Sequence, residues 1–487
     1  MTLPQIARLG KELAKFLMLF AGCFRSRSGF ALFQVYIKGL LSNVQRKNIE
    51  AMALEFGTAP RTLQRFVESI KWAETRVRDQ CQQIVAQEHP HPKAIGCVDE
   101  SGTAKSGTHT GAAARQWLGS RGKVDNGVVG VHLSYSAPGF QCLLDSEAYL
   151  PKEWADDRER RRKHYIPESV EFRTKPQIAM AQIDRALGHG IQVAAWTFDA
   201  VYGRDGAFLD GLETRRQVFA GEIPANFHGW LQKPRVLRSG PSGGRGRKKK
   251  YPRPARRPPA CEVQNLVRYS PLFTKQRWQR YRIKDTQRGP EVWEVKWAVF
   301  WRKGPAGLPG RRHTLIVARN VLTGEEKYFL ANRVPGERGI TLRWLLSVAF
   351  QRWSIESCFR QAKEELGLDH YEVRGWRCLH RHFYLTQLSH LFCARIRQKF
   401  AAETLPEDRL EELTTEQVRR AMNTWLTTFD QDLAPLQRLK REQEKQRYYQ
   451  RRNRQARLSH TKTRRKRLAS LGIDPDRIKS CVPVAAT

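Results

Sequence analysis

The stretch AIGCVDES, residues 94–101, decides the fold of this chain. Its apolar run is too short for a helix and leads into a glycine-rich segment, so it predicts a buried strand that ends in acidic residues. The stretch IQVAAWTFDAVYG, residues 191–203, repeats this pattern and predicts a second buried strand that ends at Asp199. Two buried strands that both end in an acid indicate a sheet with an acidic edge.

The segments between these two strands indicate how the sheet is built. Residues 127–136 and 140–151 predict a hairpin that turns at Pro138 and Gly139. Residues 174–190 predict a helix, because a proline stands in the first turn and helical apolar spacing follows. A hairpin followed by strands that helices connect is typical of a mixed sheet with covered faces. The sequence therefore predicts an α/β fold.

Changes of pattern along the chain predict five segments. These are a helical N-terminal domain at 1–90, the first part of the α/β core at 91–223, a β-rich insertion subdomain at 224–335, the second part of the core at 336–385, and a helical C-terminal region with a basic tail at 386–487. Within the first segment, two helices broken at Gly57 resemble a DNA-binding helix-turn-helix, although any small helical bundle has the same pattern.

The charge of the chain predicts a polyanionic partner. Its 487 residues include 86 Lys and Arg against 48 Asp and Glu, which gives a formal net charge of +38. Nucleic acid is the leading candidate, and an anionic membrane surface is the alternative. A membrane partner is not expected, because no apolar run is long enough to span one. The nine cysteines are scattered without metal-site spacing, which is typical of reduced thiols in a cytoplasmic protein.

Two segments concentrate this positive charge. Residues 233–257 carry eleven Lys and Arg with no acid, and many Gly and Pro, so we expect an exposed loop. Residues 438–467 carry fourteen Lys and Arg against two Glu. The second segment is either helical or disordered, and we expect both segments to bind phosphates without reading sequence.

Three acids are candidates for a metal site. Asp99 and Asp199 end the two buried strands, and parallel neighbouring strands would bring them to one edge of the sheet. Glu356 lies in QRWSIESCFRQAKEEL, residues 351–366, within a helix predicted from 341 to 366. Three converging carboxylates need divalent cations to offset their repulsion, and hard oxygen ligands suit Mg²⁺ or Mn²⁺. We expect two such ions, which suit phosphodiester chemistry.

Several other residues compete for roles near these acids. In the predicted helix, Arg352 and Lys363 share a face with Glu356, either as phosphate-binding groups or as a solvated salt-bridge ladder. Glu100 competes with Asp99, but neighbouring strand residues point to opposite faces. Lys105 and Lys123, in the glycine-rich stretch, are either DNA contacts or ordinary loop residues. The residues Trp293, Val295, Trp297, Val299 and Trp301 are predicted to share one face of a strand, as core or as a base-stacking surface.

The chain resembles the DDE transposases of the insertion-sequence type, with a ribonuclease-H-like core, in the group with the signature Y-x2-R-x3-E-x6-K. Arg352, Glu356 and Lys363 match R-x3-E-x6-K, while Ala349 stands at the tyrosine position. VDESGTAKSG, residues 98–107, resembles the segment around the first acid. TFDAVYG, residues 197–203, resembles the segment around the second, and it assigns Tyr202 to the DNA-contacting residues.

This resemblance implies a nucleoid-associated enzyme that acts on double-stranded DNA, cleaving the ends of a mobile element and joining them to target DNA. It implies Asp99, Asp199 and Glu356 as metal ligands, a β insertion between the second and third acids, and a homodimer in a synaptic complex. Two alternatives stay open: a non-catalytic or domesticated DNA-binding protein derived from a transposase, and a plain metal-dependent nuclease without strand joining.

Overall fold

The computed structural model describes residues 1–237, 251–255, 258–286, 288–403, 412–428 and 435–481. The chain divides into two compact units. Unit 1 consists of Met1–Ala194 and Trp353–Arg454, and unit 2 consists of Ala195–Arg352 and Gln455–Thr487. The domain boundaries expected from the sequence stay a prediction.

The helices, numbered in chain order, are α1 Leu3–Met18, α2 Arg27–Leu41, α3 Ile49–Glu55, α4 Pro60–Glu68, α5 Glu74–Glu88, α6 Lys152–Ala155, α7 Arg158–Lys163, α8 Lys175–Gly188, α9 Ala200–Gly203, α10 Gly206–Thr214, α11 Val263–Tyr269, α12 Pro271–Thr274, α13 Leu342–Phe350, α14 Trp353–Glu364, α15 Trp376–Ala402, α16 Thr415–Thr428 and α17 Pro435–Ser470. No helix in the described ranges is long and apolar enough to cross a membrane.

The strands are β1 Ile95–Ala104, β2 Ala114–Leu118, β3 Lys123–Ala137, β4 Phe140–Ala148, β5 Ala195–Phe198, β6 Ala220–Ile223, β7 His228–Trp230, β8 Val236–Leu237, β9 Arg253–Pro254, β10 Cys261–Glu262, β11 Gln279–Thr286, β12 Gly289–Lys303, β13 Pro309–Asn320, β14 Glu326–Ala331 and β15 Lys479–Ser480. The chain is therefore a mixed α/β protein, as the sequence predicts.

The sheet of unit 1 is built around β3. Strand β1 pairs antiparallel with it along one edge, and β2 and β4 pair with different stretches of its other edge. The predicted hairpin β3–β4 is confirmed, and Gly139 adopts the positive φ of 71° that its tight turn requires. Strand β2 forms in the glycine-rich stretch that the sequence analysis left without a strand.

The prediction that the first strand ends at the acids is wrong. Strand β1 runs on to Ala104, because residues 101–104 continue the ladder with β3 in unbroken register. Asp99 therefore lies inside the strand rather than at its end. The small residues that follow the acids pair as well as the apolar residues before them, since pairing depends on the backbone.

Helices α1 to α5 occupy the N-terminal ninety residues, so the helical prediction there is confirmed. They are packed through aromatic rings, among them Phe66 stacked on Trp72 with centroids 5.2 Å apart. Arg381 of the buried helix α15 lies 4.4 Å from the Trp72 ring and donates to the Phe66 carbonyl oxygen. The DNA-reading role of these helices stays a prediction.

Unit 2 contains β5, with α9 and α10 after it, and an eight-stranded sheet in which β10, β7, β12, β13, β14 and β6 are neighbours in that order. Strand β11 pairs with the other end of β12, and β15 pairs with β11. The described residues between 224 and 335 are mainly strands, as predicted, with α11 and α12 in addition, and the bounds of the insertion stay a prediction. Of the basic loop at 233–257, residues 238–250, 256 and 257 lie outside the described part of the chain.

Trp293, Val295, Trp297, Val299 and Trp301 share one face of β12, as predicted, because the pairing with β13 is regular over these residues, but burial moves to the other face along the strand. Trp293 and Val295 are buried, but farther along it is Ala298 and Phe300 that are buried, while Trp301 is only half-buried. No bulge interrupts the pairing with β13 between residues 293 and 301. The buried face therefore changes because different segments pack against the two sides of the sheet. One such contact is between Trp293 and Phe350 of α13, with ring centroids 4.9 Å apart.

The helix predicted over residues 341–366 is two helices, α13 and α14, with a break at Gln351 and Arg352. The last turn of α13 tightens, because the Gln351 N–H donates to the Val348 carbonyl oxygen three residues back. Each helix has its own aromatic anchor: Phe350 packs on Phe329 in unit 2, and Phe359 packs on His132 in unit 1. Apolar spacing continues across the break, so the sequence pattern did not reveal it.

Candidate active site

Asp99 lies on the face of the unit 1 sheet that α14 covers. It is opposite His132 in the antiparallel ladder of β1 and β3, and residues directly opposite each other project to the same face. The His132 ring contacts Phe359 of α14 edge-on, with centroids 5.0 Å apart. The Asp99 side chain, only 8% exposed, therefore belongs to this covered face.

Two contacts fix the direction of α14 over the sheet. Near its start, the Ser354 carbonyl oxygen accepts from the Gln141 side chain, and Gln141 is level with Ile95 of β1 through the β3 ladder. Near its end, the Lys363 ammonium nitrogen donates to the Gly102 carbonyl oxygen at 3.2 Å. Helix α14 therefore runs in the same direction as β1.

Glu356 lies on the edge of α14 that faces β1. Ile355, Cys358, Phe359 and Ala362 are the buried residues of the helix. Glu356 and Lys363, seven residues apart, share the edge beside that buried face, and Lys363 contacts β1. Glu356 precedes Lys363 by about 10 Å along the helix, and Asp99 precedes Gly102 by about 10 Å along the strand. Glu356 therefore belongs to the part of α14 that runs beside β1, the strand of Asp99.

Glu100 belongs to the opposite face of the sheet. Its carboxylate forms an ion pair with Lys175 at 2.6 Å, at the start of α8. Glu100 therefore forms a salt bridge on that face, and strand alternation leaves Asp99 on the α14 side.

A lysine follows each of the two acids along the chain: Lys105 comes directly after β1, the strand of Asp99, and Lys363 lies in α14, the helix of Glu356. Burial lowers the pKa of Lys363, and the nearby Asp369 partly offsets this effect. Lys105 donates to the Tyr371 carbonyl oxygen at 2.6 Å and lies 3.5 Å from the centroid of the Tyr371 ring. Burial lowers the pKa of Lys105 to about 8. Both ammonium groups are thus held next to backbone carbonyl oxygens, where an approaching phosphate would favour their charged form.

Asp199 directly follows strand β5 in unit 2, as the sequence predicts. Its side chain caps α9 by accepting hydrogen bonds from the backbone N–H groups of Val201 and Tyr202, at 2.9 and 3.4 Å. This cap fixes the position of the carboxylate at the end of the strand. Gly203 lets α9 approach β6, because a Cβ atom there would lie 1.9 Å from the Glu222 carbonyl oxygen.

Tyr202 is not placed to contact DNA. Its side chain is fully buried and lies against Phe208, with ring centroids 5.7 Å apart. A contact with a phosphate would require the ring to leave the core of unit 2. Its position after Asp199 therefore has a packing role, and the DNA-contact assignment is withdrawn.

Arg352 does not share a helix with Glu356 and Lys363. It occupies the break before α14, and its Nε atom lies 3.9 Å from a carboxylate oxygen of Glu222 in unit 2. The argument from a shared helical face therefore holds for Glu356 and Lys363 only. Lys123 is exposed at the first residue of β3, next to a tight turn.

The residues fit divalent cations by their donor chemistry. Asp99 and Glu356 offer carboxylate oxygens, which Mg²⁺ and Mn²⁺ prefer. Within the described ranges, no three His, Cys, Asp or Glu side chains are grouped closely enough to hold a metal ion. The Gly102 carbonyl, which ties Lys363 to the strand of Asp99, was missed by the sequence analysis, because a backbone acceptor leaves no trace in residue type.

Comparison with known proteins identifies the family. Residues 19–290, more than half of the chain, match the family described as DDE superfamily endonuclease, and the chain belongs to that family. This range contains Asp99 and Asp199 and ends before Glu356.

A curated relative is the "Probable transposase for insertion sequence element IS701" of Microchaete diplosiphon. It is 26% identical over 201 residues, which are 41% of this chain and 50% of the relative. The chain thus spans about half the length of this relative.

Proposed function

We propose that the chain is a transposase of the insertion-sequence type, which cleaves DNA at the ends of a mobile element and joins them to target DNA. Its membership of the DDE endonuclease family and the printed name of its relative support this function. The net charge of +38 supports a DNA partner. The observation that carries the proposal is the packing of α14, the helix of Glu356, along β1, the strand of Asp99, where Lys363 donates to the Gly102 carbonyl oxygen.

Asp99, Asp199 and Glu356 are the proposed ligands of two Mg²⁺ or Mn²⁺ ions. When bound, such ions activate a water or a 3′-hydroxyl and stabilise the leaving oxygen of a phosphodiester. The buried position of Asp99 and the cap that holds Asp199 support this assignment, because rigid carboxylates fix the geometry of the reacting groups. Antiparallel β1, β3 and β4, with a connecting helix before the second acid, support a ribonuclease-H-like core.

Lys363 is the proposed contact for the phosphate next to the cleavage point, in accord with the R-x3-E-x6-K part of the Y-R-E-K signature. Its position beside Glu356 and its lowered pKa support this role, since a phosphate would restore its charge. Arg352, Lys105 and Lys123 are further proposed phosphate contacts. We further propose that the N-terminal helices and the basic segments hold element ends in a nucleoid-associated homodimer.

The test is incubation of the purified chain with duplex DNA taken from both sides of its coding sequence. Strand breaks at defined positions that require Mg²⁺ or Mn²⁺, followed by joined products with a second duplex, would support the proposal. Breaks without joined products would indicate the plain nuclease. DNA binding without any breaks would indicate the non-catalytic alternative.

A further inference from the structure

The hairpin of β2 and β3 exposes an apolar pair among cations. Trp117 is 58% exposed and Val124 is 51% exposed, and the two are directly opposite each other in the ladder. Three exposed cations lie in the same hairpin: Arg115 is two residues before Trp117 and on its face, Arg121 is in the turn, and Lys123 is next to Val124 in the chain. In the part of the chain that the structure describes, none of the three forms an ion pair with a carboxylate. A large exposed ring with uncompensated cations in the same hairpin is unusual on a surface that contacts only water.

The hairpin is rigid because it folds back onto β1. Leu118, the neighbour of Trp117, lies over Gly102 and Gly127, where a Cβ atom would come within 2.7 and 2.8 Å of its side chain. The Asn126 side chain donates to the carbonyl oxygens of Lys105 and Gly107, at 2.7 and 2.8 Å. The inner face is thus fixed on the sheet, and the outer face holds Trp117 in a defined position.

The hairpin is next to the candidate site. Its turn donates a hydrogen bond from the Ser120 hydroxyl to the Gly102 carbonyl oxygen at 3.4 Å. The same oxygen accepts from the Lys363 ammonium at 3.2 Å. Gly102 follows Asp99 by about 10 Å along β1, which is the axial length of about three base pairs. DNA with a phosphate at Lys363 would therefore pass the hairpin within a few base pairs.

We propose that this hairpin binds the minor groove of the duplex beside the cleavage point, with Trp117 and Val124 against the sugar walls and Arg115, Arg121 and Lys123 on flanking phosphates. Apolar side chains cannot use the hydrogen-bonding code of the major groove, whereas proteins that bind the minor groove combine apolar wedges with arginines. This inference rests on the proposed function, since it takes the bound polymer to be DNA.

The test is a competition experiment with the full chain on a short duplex of alternating A and T, in which successive registers are equivalent. Binding is measured with netropsin, which occupies the minor groove, or methyl green, which occupies the major groove. We expect netropsin to weaken wild-type binding severalfold. Trp117→Ala should bind more weakly and lose this sensitivity, and Trp117→Phe should retain part of it. Tyr165→Ala, which removes another exposed ring of unit 1, is the matched control.

The outcomes separate the two proposals. Absence of wild-type binding to any duplex would overturn the proposed function. Equal netropsin sensitivity of the wild type and Trp117→Ala, or sensitivity to methyl green alone, would overturn only the hairpin inference. A Trp–Val pair that merely stabilises the hairpin predicts a lower Tm with unchanged DNA binding, which would also overturn it. If Trp117→Ala does not fold, the double variant Arg115→Gln with Arg121→Gln replaces it. Its DNA binding should likewise be weaker and less sensitive to netropsin than that of the wild type.

Discussion

Lys363 and Gly102 are joined by a hydrogen bond from the ammonium nitrogen to the carbonyl oxygen, 3.2 Å long. This contact connects the helix of one candidate ligand, Glu356, with the strand of another, Asp99. An ammonium group can donate three hydrogen bonds, so one bond to the backbone leaves it able to contact a phosphate. The lysine can therefore stabilise the site and bind DNA at once.

The proposed metal ligands predict a separation of cleavage from binding. Asp99→Asn, Asp199→Asn and Glu356→Gln should each abolish metal-dependent cleavage, because an amide is a poor ligand for Mg²⁺. DNA binding should stay normal or become tighter, since negative charge is lost. Glu100→Gln, on the opposite face of the sheet, is the control and should cleave normally. Full cleavage by any of the three variants would remove that residue from the ligand set.

Replacement of Lys363 should affect chemistry more than folding. Lys363→Ala loses the contact with Gly102 and the proposed phosphate contact, and a shift of the scissile strand by about 1 Å can cost roughly a hundredfold in rate. We expect a small decrease in Tm and a large decrease in single-turnover cleavage, and a decrease in cleavage for Arg352→Ala as well. Arg360→Ala, exposed on the same helix as Lys363, is the control. Normal cleavage with a lowered Tm would leave Lys363 a purely structural role.

Lys105 predicts opposite pH trends for stability and DNA binding. The pKa of Lys105 is about 8 in the folded chain, below its ordinary value of 10.5. Between these two pH values the unfolded chain keeps the proton on Lys105, whereas the folded chain loses it. Stability should therefore rise with pH above about 8. DNA affinity should fall over the same range, because the charge that binds phosphate is lost. Lys105→Arg should reduce both trends, as measured by thermal unfolding and by binding titrations. Equal pH dependence in Lys105→Arg would exclude this lysine as the source.

Buried histidines predict a loss of stability in acid. Burial lowers the pKa of His132 and His390 to about 3 and of His382 to about 4. The unfolded chain takes up these protons below about pH 6.5, so the stabilising contribution is complete above that pH and is lost as the pH falls towards 3. Each histidine should contribute on the order of 1 kcal/mol per pH unit in this window. The free energy of unfolding, measured with urea at several pH values, should depend less steeply on pH in His390→Gln than in the wild type. The exposed control His460→Gln should show the wild-type pH dependence.

The basic segments predict the salt dependence of DNA binding. Deletion of residues 238–250 or neutralisation of the arginines at 451, 452, 454 and 457 of α17, all exposed, should flatten the plot of log K against log salt. On duplex DNA the slope should decrease by about 0.9 for each lost phosphate contact. An unchanged slope would show that the altered segment does not touch DNA in the complex.

The sequence predicted the helices and strands in which the spacing of apolar residues matches the residues that are buried. The strand that leads to Asp199, the helix α8 and the hairpin at Gly139 all formed as predicted, because local periodicity and turn residues determine them. The break at Arg352 and the change of buried face along β12 depend on which partner each segment packs against, and sequence spacing does not contain that information. For the same reason, the hairpin of Trp117 was not predicted, since it depends on Leu118 fitting over two distant glycines.

The buried cysteines allow local opening of the candidate site to be measured by the rate of thiol labelling. Eight of the nine cysteines are buried, and burial raises the pKa of Cys358 to about 12, so thiol reagents should react with them only when the surrounding structure opens. Cys97 belongs to the strand of Asp99, and Cys358 belongs to the helix of Glu356. The labelling rates of Cys97 and Cys358 would therefore report how often β1 and α14 separate, and the measurement needs no DNA substrate.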